Sequence, residues 1–542
     1  MEEVRCMSKS FFKKIAAVLL SSCVLLTGAV TDFPTADVEA APDEYHDDWL
    51  HVEGNQIVDM YGNPVWLTGC NWFGYNVGSQ VFDGVWSQNM HDMLNQIADH
   101  GFNLLRVPMS TEILLQWKNQ EPDPMIKVNT YSNPELSVTG VEGGDPMYSF
   151  DIWNYAVKWC RENGIKIMID IHSAETASAG HQVSLWYTDK FSTEDWLEAL
   201  EWFADYYKDD DTVIAIDLKN EPHGTADTPA AMAKWDDSND PNNWKYAAEE
   251  AAKAVFRGNP ELLVMVEGTE VYPKFEEGND WTCPNIDYSR YPYSYYHHTW
   301  WGGNFRGAAD YPIDLGDKQD KLVYSPHDYG PLVYAQTWFE GDFTFDTLMD
   351  DVWYDNWFYL YDQGTAPLLI GEWGGFIDAE HDTDGKNTKW LLYLRDLITQ
   401  NHLHHTFWCF NENSGDTGGL VYDNFSKWDE DKYALVKEAL WQDDNGKFVS
   451  LDHTIKLGQS GNGISLSDYY SSAPKPDTIR GDANGDGIVN SADLSAIRKY
   501  YYDIAVGKYN TIEIDFNNAD MDKDGVISVS DIISINNFLL KR

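Results

Sequence analysis

From Val65 to about Leu440, short apolar runs alternate with longer segments whose apolar residues return every three or four positions. The runs VWLTGCNWFG, NLLRVPMS, IKIMIDIH, TVIAIDLKNEP, LLVMVEG, LVYSPHDYG, APLLIGEWGG and HTFWCFNEN read as strands buried on both faces. Between them MHDMLNQIADHG, FDIWNYAVKWCRENG, EDWLEALEWFADYY and WKYAAEEAAKAVF carry the periodicity of helices with one apolar face. Strands that nearly all give way to a helix predict an α/β fold, the (β/α)8 or TIM barrel. Residues 269–320 break the alternation: YPYSYYHHTWWGGNFRG stands where a helix is due, and reads as a loop that lines the groove or caps the barrel. Such a barrel builds its site at the carboxyl ends of its strands. The candidates there are Arg106, His172, Asn220, Glu221, Glu267, His327, Tyr329, Glu372, Trp408 and Asn411.

Beyond Gly458 the helical and strand periods stop, and GQSGNGISLSDYYSSAPKP reads as a linker over 459–478. The tail, 479–542, repeats itself. GDANGDGIVNSADLSAIRKYYYD and ADMDKDGVISVSDIISINNFLLK place oxygen-bearing residues at the offsets of an EF-hand loop. In the first loop these are Asp482, Asn484, Asp486, the Ile488 carbonyl, Asn490 and Asp493; in the second, Asp520, Asp522, Asp524, the Val526 carbonyl, Ser528 and Asp531. Two Ca2+ ions are therefore expected, as structural staples of a small all-α module. Each loop ends in Asp where an EF-hand has Glu, and the helix that would precede each loop is missing.

Charge and termini narrow the partners. With 38 Lys+Arg against 88 Asp+Glu and a formal charge of -50, nucleic acid and anionic membrane surfaces are repelled. A neutral polymer is not, and 23 Trp with 32 Tyr offer flat faces for sugar rings beside their role in the core. The start of the chain pairs Arg5, Lys9, Lys13 and Lys14 with the apolar run from Ile15 to Val30 and small residues near Ala40, which reads as a secretory signal over 1–40. LSSC ending at Cys23 suits a lipoprotein less well, because the apolar run continues past it. No other segment suggests membrane insertion. Cys6 and Cys23 fall in the signal; Cys70, Cys160, Cys283 and Cys409 lack metal-ligand spacing and read as buried thiols or disulfides. The histidines of HLHH and of YHH at His297 read as loop or strand-start residues.

A barrel mouth of carboxylates, histidines and aromatics suits acid/base or covalent chemistry on a neutral polar substrate. Cleaving a glycosidic bond takes two carboxyl groups, and Glu221 and Glu372 lie after the fourth and seventh predicted strands, with Glu267 after the fifth as a rival. LKNEPHG, LIGEWGG, NLLRVP, SPHDYG, GCNWFGYNVG and FWCFNENSGDTGG, in this chain, resemble glycoside hydrolase family 5, near its bacterial endo-β-1,4-glucanases, over about Leu50 to Asp443. The resemblance implies Glu221 as acid/base, Glu372 as nucleophile and Glu267 as structural, with no cofactor for catalysis. It further implies Arg106 and Tyr329 beside Glu372, Asn220 toward the sugar 2-hydroxyl, His172 and His327 as polar contacts, and Trp408 as a stacking floor. On that reading the Glu221 carboxyl should titrate high. The tail from Arg480 resembles a type I dockerin, which implies a cohesin on a scaffolding protein as partner. Ser491, Ala492, Val529 and Ser530, with Arg498 and Lys499, would face that cohesin; Asn536 and Asn537 replace the basic pair in the second repeat. The expected whole is a secreted, cellulosome-docked β-glucan hydrolase with a catalytic barrel over 41–458, acting as a monomer. Xyloglucan, glucomannan or mixed-linkage glucan as main substrate, and a non-catalytic glucan-binding barrel, remain as alternatives.

Overall fold

The computed structural model describes residues 48–121, 127–284, 295–472, 481–484, 489–505, 514–521 and 526–539; the expected signal over 1–40 lies outside them. The eight apolar runs form one parallel sheet: β1 Thr68–Asn71, β2 Leu104–Ser110, β3 Lys166–Ser173, β4 Val213–Asp217, β5 Leu263–Val266, β6 Leu322–Tyr324, β7 Leu369–Ile370 and β8 His404–Phe407. Neighbours run β6-β5-β4-β3-β2-β1-β8-β7, each pair parallel. Bridges Tyr324↔Leu368 and His327↔Glu372 then join β6 to β7 and close the barrel. β2 and β3 are buried along their whole length, so their side chains fill the barrel on one face and meet the helices on the other.

The helices start where the sequence supplies caps. α1 (Met90–Asp99) starts behind Asn89, whose side chain accepts the Asp92 N–H, and buries Met90, Met93, Leu94 and Ile97 on one face. α2 is Thr111–Lys118 and α3 Ser149–Glu162. α4 (Thr193–Tyr206) opens with a reciprocal Ser192–Asp195 capping box. α5 (Trp244–Gly258) follows Asn243 and presents Ala247, Ala248, Ala251, Ala252 and Ala254, small enough for close helix packing. After β5, where the sequence reads as a loop, Val271–Pro273 pairs antiparallel with Tyr296–His298 and a five-residue helix, α6 (Arg306–Asp310), follows. A helical run from Phe345 to Asp362 containing a π segment follows β6; α7 (Lys386–Asn401) follows β7 and α8 (Glu430–Val436) follows β8. His404 and His405 begin β8 as buried core groups: the His404 ring accepts the Leu67 N–H, and the His405 Nε2 lies 2.8 Å from the Ala439 carbonyl. Cys70, Cys160, Cys283 and Cys409 are free thiols.

Residues 459–472, expected as the first part of a linker, fold onto the barrel instead. Gly463–Ile464 pairs with Phe448–Val449, α9 (Leu466–Ser472) follows, Leu466 is buried in the main core, and the Tyr470 hydroxyl donates to the Pro64 carbonyl. The Ser/Gly content hid one apolar anchor and a strand too short to show a period. At the end of the barrel opposite the strand carboxyl termini, Asp48 binds Lys166 at 3.1 Å and His453, and His453 Nε2 lies 3.0 Å from Asp59. This ties the first described segment, β3 and the segment after α8 together. The tail has α10 (Ser491–Ala505), a short helix Phe516–Ala519 and α11 (Val529–Leu539), with Ala483, Leu494, Ile497, Ala519, Met521, Ile527 and Ile535 in its own core.

Candidate active site

Arg106, on β2, is fully buried and organises the barrel mouth. Its Nη1 donates to Glu372 Oε1 at 2.8 Å and to Asn71 Oδ1 at 2.9 Å; Nη2 donates to Asp217 at 2.9 Å and Asn220 Oδ1 at 3.2 Å, and stands 3.2 Å from Asp170. A planar guanidinium with fixed donors thereby aligns residues from β1, β3 and β4 with others just past the ends of β4 and β7. The Tyr329 hydroxyl donates to the other Glu372 oxygen at 2.6 Å. Glu372 is thus gripped on both oxygens, with 5 % of its side chain exposed, and Arg106 and Tyr329 stand where expected.

Glu221 faces it from the end of β4. Its Oε1 lies 3.1 Å from His327 Nδ1, and oxygens of Glu221 and Glu372 come within 4.8 Å of one another and of that ring. Burial pushes the Glu221 carboxyl up, but the His327 hydrogen bond and charge outweigh it and bring the group down to about 2. This corrects the expectation of a high-titrating Glu221: its partner is an imidazole that Glu267 and Glu372 hold in the charged form, well above the ordinary histidine range despite burial. Burial pushes Glu267 well above the carboxylate range and Asp170 up to about 6.

His172 Nδ1 lies 2.6 Å from Asp170, and burial drives the ring down to about 3, so it stays neutral. It lies parallel to Trp408 at 5.6 Å between centroids, and Trp408 is stacked with Phe73 at 5.7 Å. The Trp408 ring is half-buried, and its peptide to Cys409 is cis. Asn220 keeps its Nδ2 without a protein partner although the residue is buried. That is a donor available to a hydroxyl. Asn411 instead binds both polar groups of the Phe73 backbone and shapes the wall.

Folding also assembles what spacing could not show. Asp170 and Asp217 balance Arg106; each is a carboxylate set against the apolar residues of its strand, the one signal the sequence held. Asn71, Glu270 and His223 were missed as well, and Trp301 was read only as part of the Tyr/Trp-rich loop. The Glu270 carboxyl accepts the Gly224 N–H at 2.8 Å, and His223, two residues past Glu221, stacks on Trp301 at 3.7 Å. Asp170, His172 and Glu372, then Asp217, Glu267 and His327, come close enough to hold a metal ion, which no sequence spacing suggested. The cation that serves those carboxylates here is Arg106.

The tail loops are the other candidate site. Asp482, Asp493, Asp520 and Asp531 are buried. Asp493 accepts the N–H of Asn484 at 3.0 Å and of Asn490 at 2.7 Å; Asp531 accepts those of Met521 at 2.7 Å and Ser528 at 2.8 Å. Each closing Asp thus bonds described residues on both sides of its loop. Buried carboxylates with amide and hydroxyl oxygens fit a hard divalent cation. Asp486, Ile488, Asp522 and Asp524 lie outside the described residues, as do the side chains of Ser491 and Ala492. Arg498, Lys499, Val529 and Ser530 are exposed on α10 and α11.

Comparison with known proteins adds the relatives. The family model Cellulase (glycosyl hydrolase family 5) matches residues 58–414, and the Dockerin type I domain model matches 480–540. The chain is similar to Endoglucanase G of Acetivibrio thermocellus, 48% identical over 526 residues covering 91% of each chain. It is also similar to Endoglucanase B of that organism, 39% identical over 534 residues covering 91% of this chain and 92% of the relative. Among solved structures, a cellotetraose complex of an endocellulase from Pyrococcus horikoshii superposes with a TM-score of 0.61 at 32% identity, covering 72% of this chain and 98% of that one.

Proposed function

Because the chain belongs to glycoside hydrolase family 5 and ends in a type I dockerin domain, we propose that it is a secreted endo-β-1,4-glucanase working with retention of configuration. The observation that carries this is the pair of carboxylates, Glu221 and Glu372, with oxygens within 4.8 Å. Retaining glycosidases hold their carboxyl groups about 5 Å apart; inverting ones need roughly 6.5–9.5 Å to admit a water. Glu372, paired with Arg106 and oriented by Tyr329, attacks the anomeric carbon. Glu221 gives its proton to the departing glycosidic oxygen, then as a carboxylate takes a proton from the water that releases the sugar.

The low-titrating Glu221 fits if the proton starts on His327. A bound glucan strips water from the mouth, which disfavours the imidazolium–carboxylate pair against the neutral one, and the proton passes from Nδ1 to Oε1. Asn220 then donates to the sugar 2-hydroxyl and Trp408 carries the ring face. In the tail, Ca2+ would hold each loop closed and supply the charge its oxygens lack; the helices behind the loops would carry the cohesin-facing residues, and 1–40 the export signal. The domain limits in this reading are 41–472 for the catalytic part and 479–542 for the dockerin.

Reducing-end release by the mature protein and its Glu372→Gln variant on carboxymethyl cellulose, mixed-linkage glucan, xyloglucan and glucomannan tests this. Turnover on the first two, lost by about 10⁴-fold or more in the variant, is expected. Activity confined to the last two would overturn the substrate, and none on any would favour a binding barrel.

A further inference from the structure

The roles given to Glu221 and Glu372 leave a third carboxylate at the same mouth without one. Glu267, at the end of β5, is fully buried. Its Oε2 accepts the backbone N–H of Glu221 at 2.7 Å, and its Oε1 lies 3.2 Å from His327 Nε2. The other nitrogen of that ring lies 3.1 Å from Glu221 Oε1. One carboxyl group therefore holds residue 221 directly through its backbone, and stands at ion-pair distance from the ring that meets its side chain. Arg106 also donates to Glu267, at 3.4 Å, a longer contact than the 2.8 Å and 2.9 Å ones it makes with Glu372 and Asp217.

Residue 221 needs such a hold. Its φ is +50°, in the left-handed region that a side chain such as Glu seldom adopts, and Pro222 restricts its backbone further. A short hydrogen bond on its N–H, accepted by a buried and fixed side chain, is a means to keep it there. The chain also leaves room for this carboxylate: Gly302 has φ +73°, and a Cβ on it would stand 2.2 Å from Glu267 Oε2.

We propose that Glu267 is a positioning residue for proton donation, fixing the Glu221 backbone and the His327 ring so that the Glu221 carboxyl meets the glycosidic oxygen. The proposal rests on the reading of Glu221 as acid/base. It separates Glu267 from a merely structural carboxylate by what it controls: proton delivery, and not glucan binding or attack by Glu372.

Aryl β-cellobiosides of unequal leaving-group acidity read this directly, because dinitrophenolate departs without a proton and phenolate does not. Glu267→Gln, Gly302→Ala and Glu221→Ala are compared with the wild-type full chain on both, after a thermal melt establishes folding. Glu267→Gln is expected to lose about 10²-fold in kcat/KM on the phenyl substrate and no more than a few-fold on the dinitrophenyl one. Gly302→Ala, which pushes on the same oxygen and leaves the Glu267 side chain in place, should show the same pattern more weakly, and carries the test alone if Glu267→Gln does not fold. Equal losses on the two substrates, or none, overturn the proposal. Glu221→Ala tests the acid/base reading on its own: a loss equal on both substrates in that variant would bring the reading down.

Discussion

At the scale of single residues, Glu372 is held by two donors of different kinds, the Arg106 guanidinium at 2.8 Å and the Tyr329 hydroxyl at 2.6 Å. Burial pushes the Tyr329 hydroxyl well above its usual range, so it remains a donor at any working pH. A hydrogen bond to a charged group is worth about 2 kcal/mol. Tyr329→Phe should therefore lower kcat/KM on cellotetraose by roughly 30-fold, with melting temperature little changed. A loss confined to KM would show that Tyr329 serves the sugar rather than the carboxylate. Tyr329 and Glu372 were legible because they follow apolar strands, where a polar side chain has no packing role; Arg106, inside β2, was legible through the NLLRVP motif. Asp170 and Asp217 were not, since a charge inside a strand reads as noise until its partner on another strand is known. The direction of the Glu221 shift was illegible for the same reason: it depends on His327, from a strand two places round the barrel.

At the scale of elements, the apolar runs and helical periods gave the barrel, including the irregular passage after β5. What they missed was the segment 459–472, whose anchoring rests on Leu466 and a two-residue strand. The tail is the opposite case: the offsets of its loop residues are fixed by the chain itself and need no tertiary partner to be read. Its apolar core is small, with Ala483, Leu494, Ile497, Ala519, Met521, Ile527 and Ile535. A module of that size depends on its staple. Chelating calcium should abolish binding to a cohesin while hydrolysis of carboxymethyl cellulose continues at an unchanged rate, read by pull-down and reducing-end release in parallel. Loss of hydrolysis as well would place a metal in the barrel.

At the scale of the whole molecule, the cluster of Asp48, Asp59, Lys166 and His453 joins distant parts of the chain at the end of the barrel away from the site. Burial opposes a charge on His453, but the bonds to Asp48 and Asp59 outweigh it and lift the ring to about 9, from 6.5 in an open chain. Its stabilising share is present in full below about 6.5 and is lost as pH rises through about 9. Asp48 works in the other sense: Lys166 and His453 overcome its burial and hold it low, so its share disappears only in acid. His453→Gln should accordingly melt a few degrees below the wild type at pH 6, with the gap closing by pH 10; a gap that stays constant would remove the ion pairs from the account. The mouth at the opposite end depends on which carboxylate becomes bonded to the sugar. Incubation with an activated 2-deoxy-2-fluoro-β-cellobioside, which forms the sugar–enzyme bond quickly and breaks it slowly, followed by peptide mapping, reads this most directly. Label on the peptide bearing Glu372 is the predicted result; label on Glu221 or Glu267, or none with activity intact, would contradict the double-displacement pair.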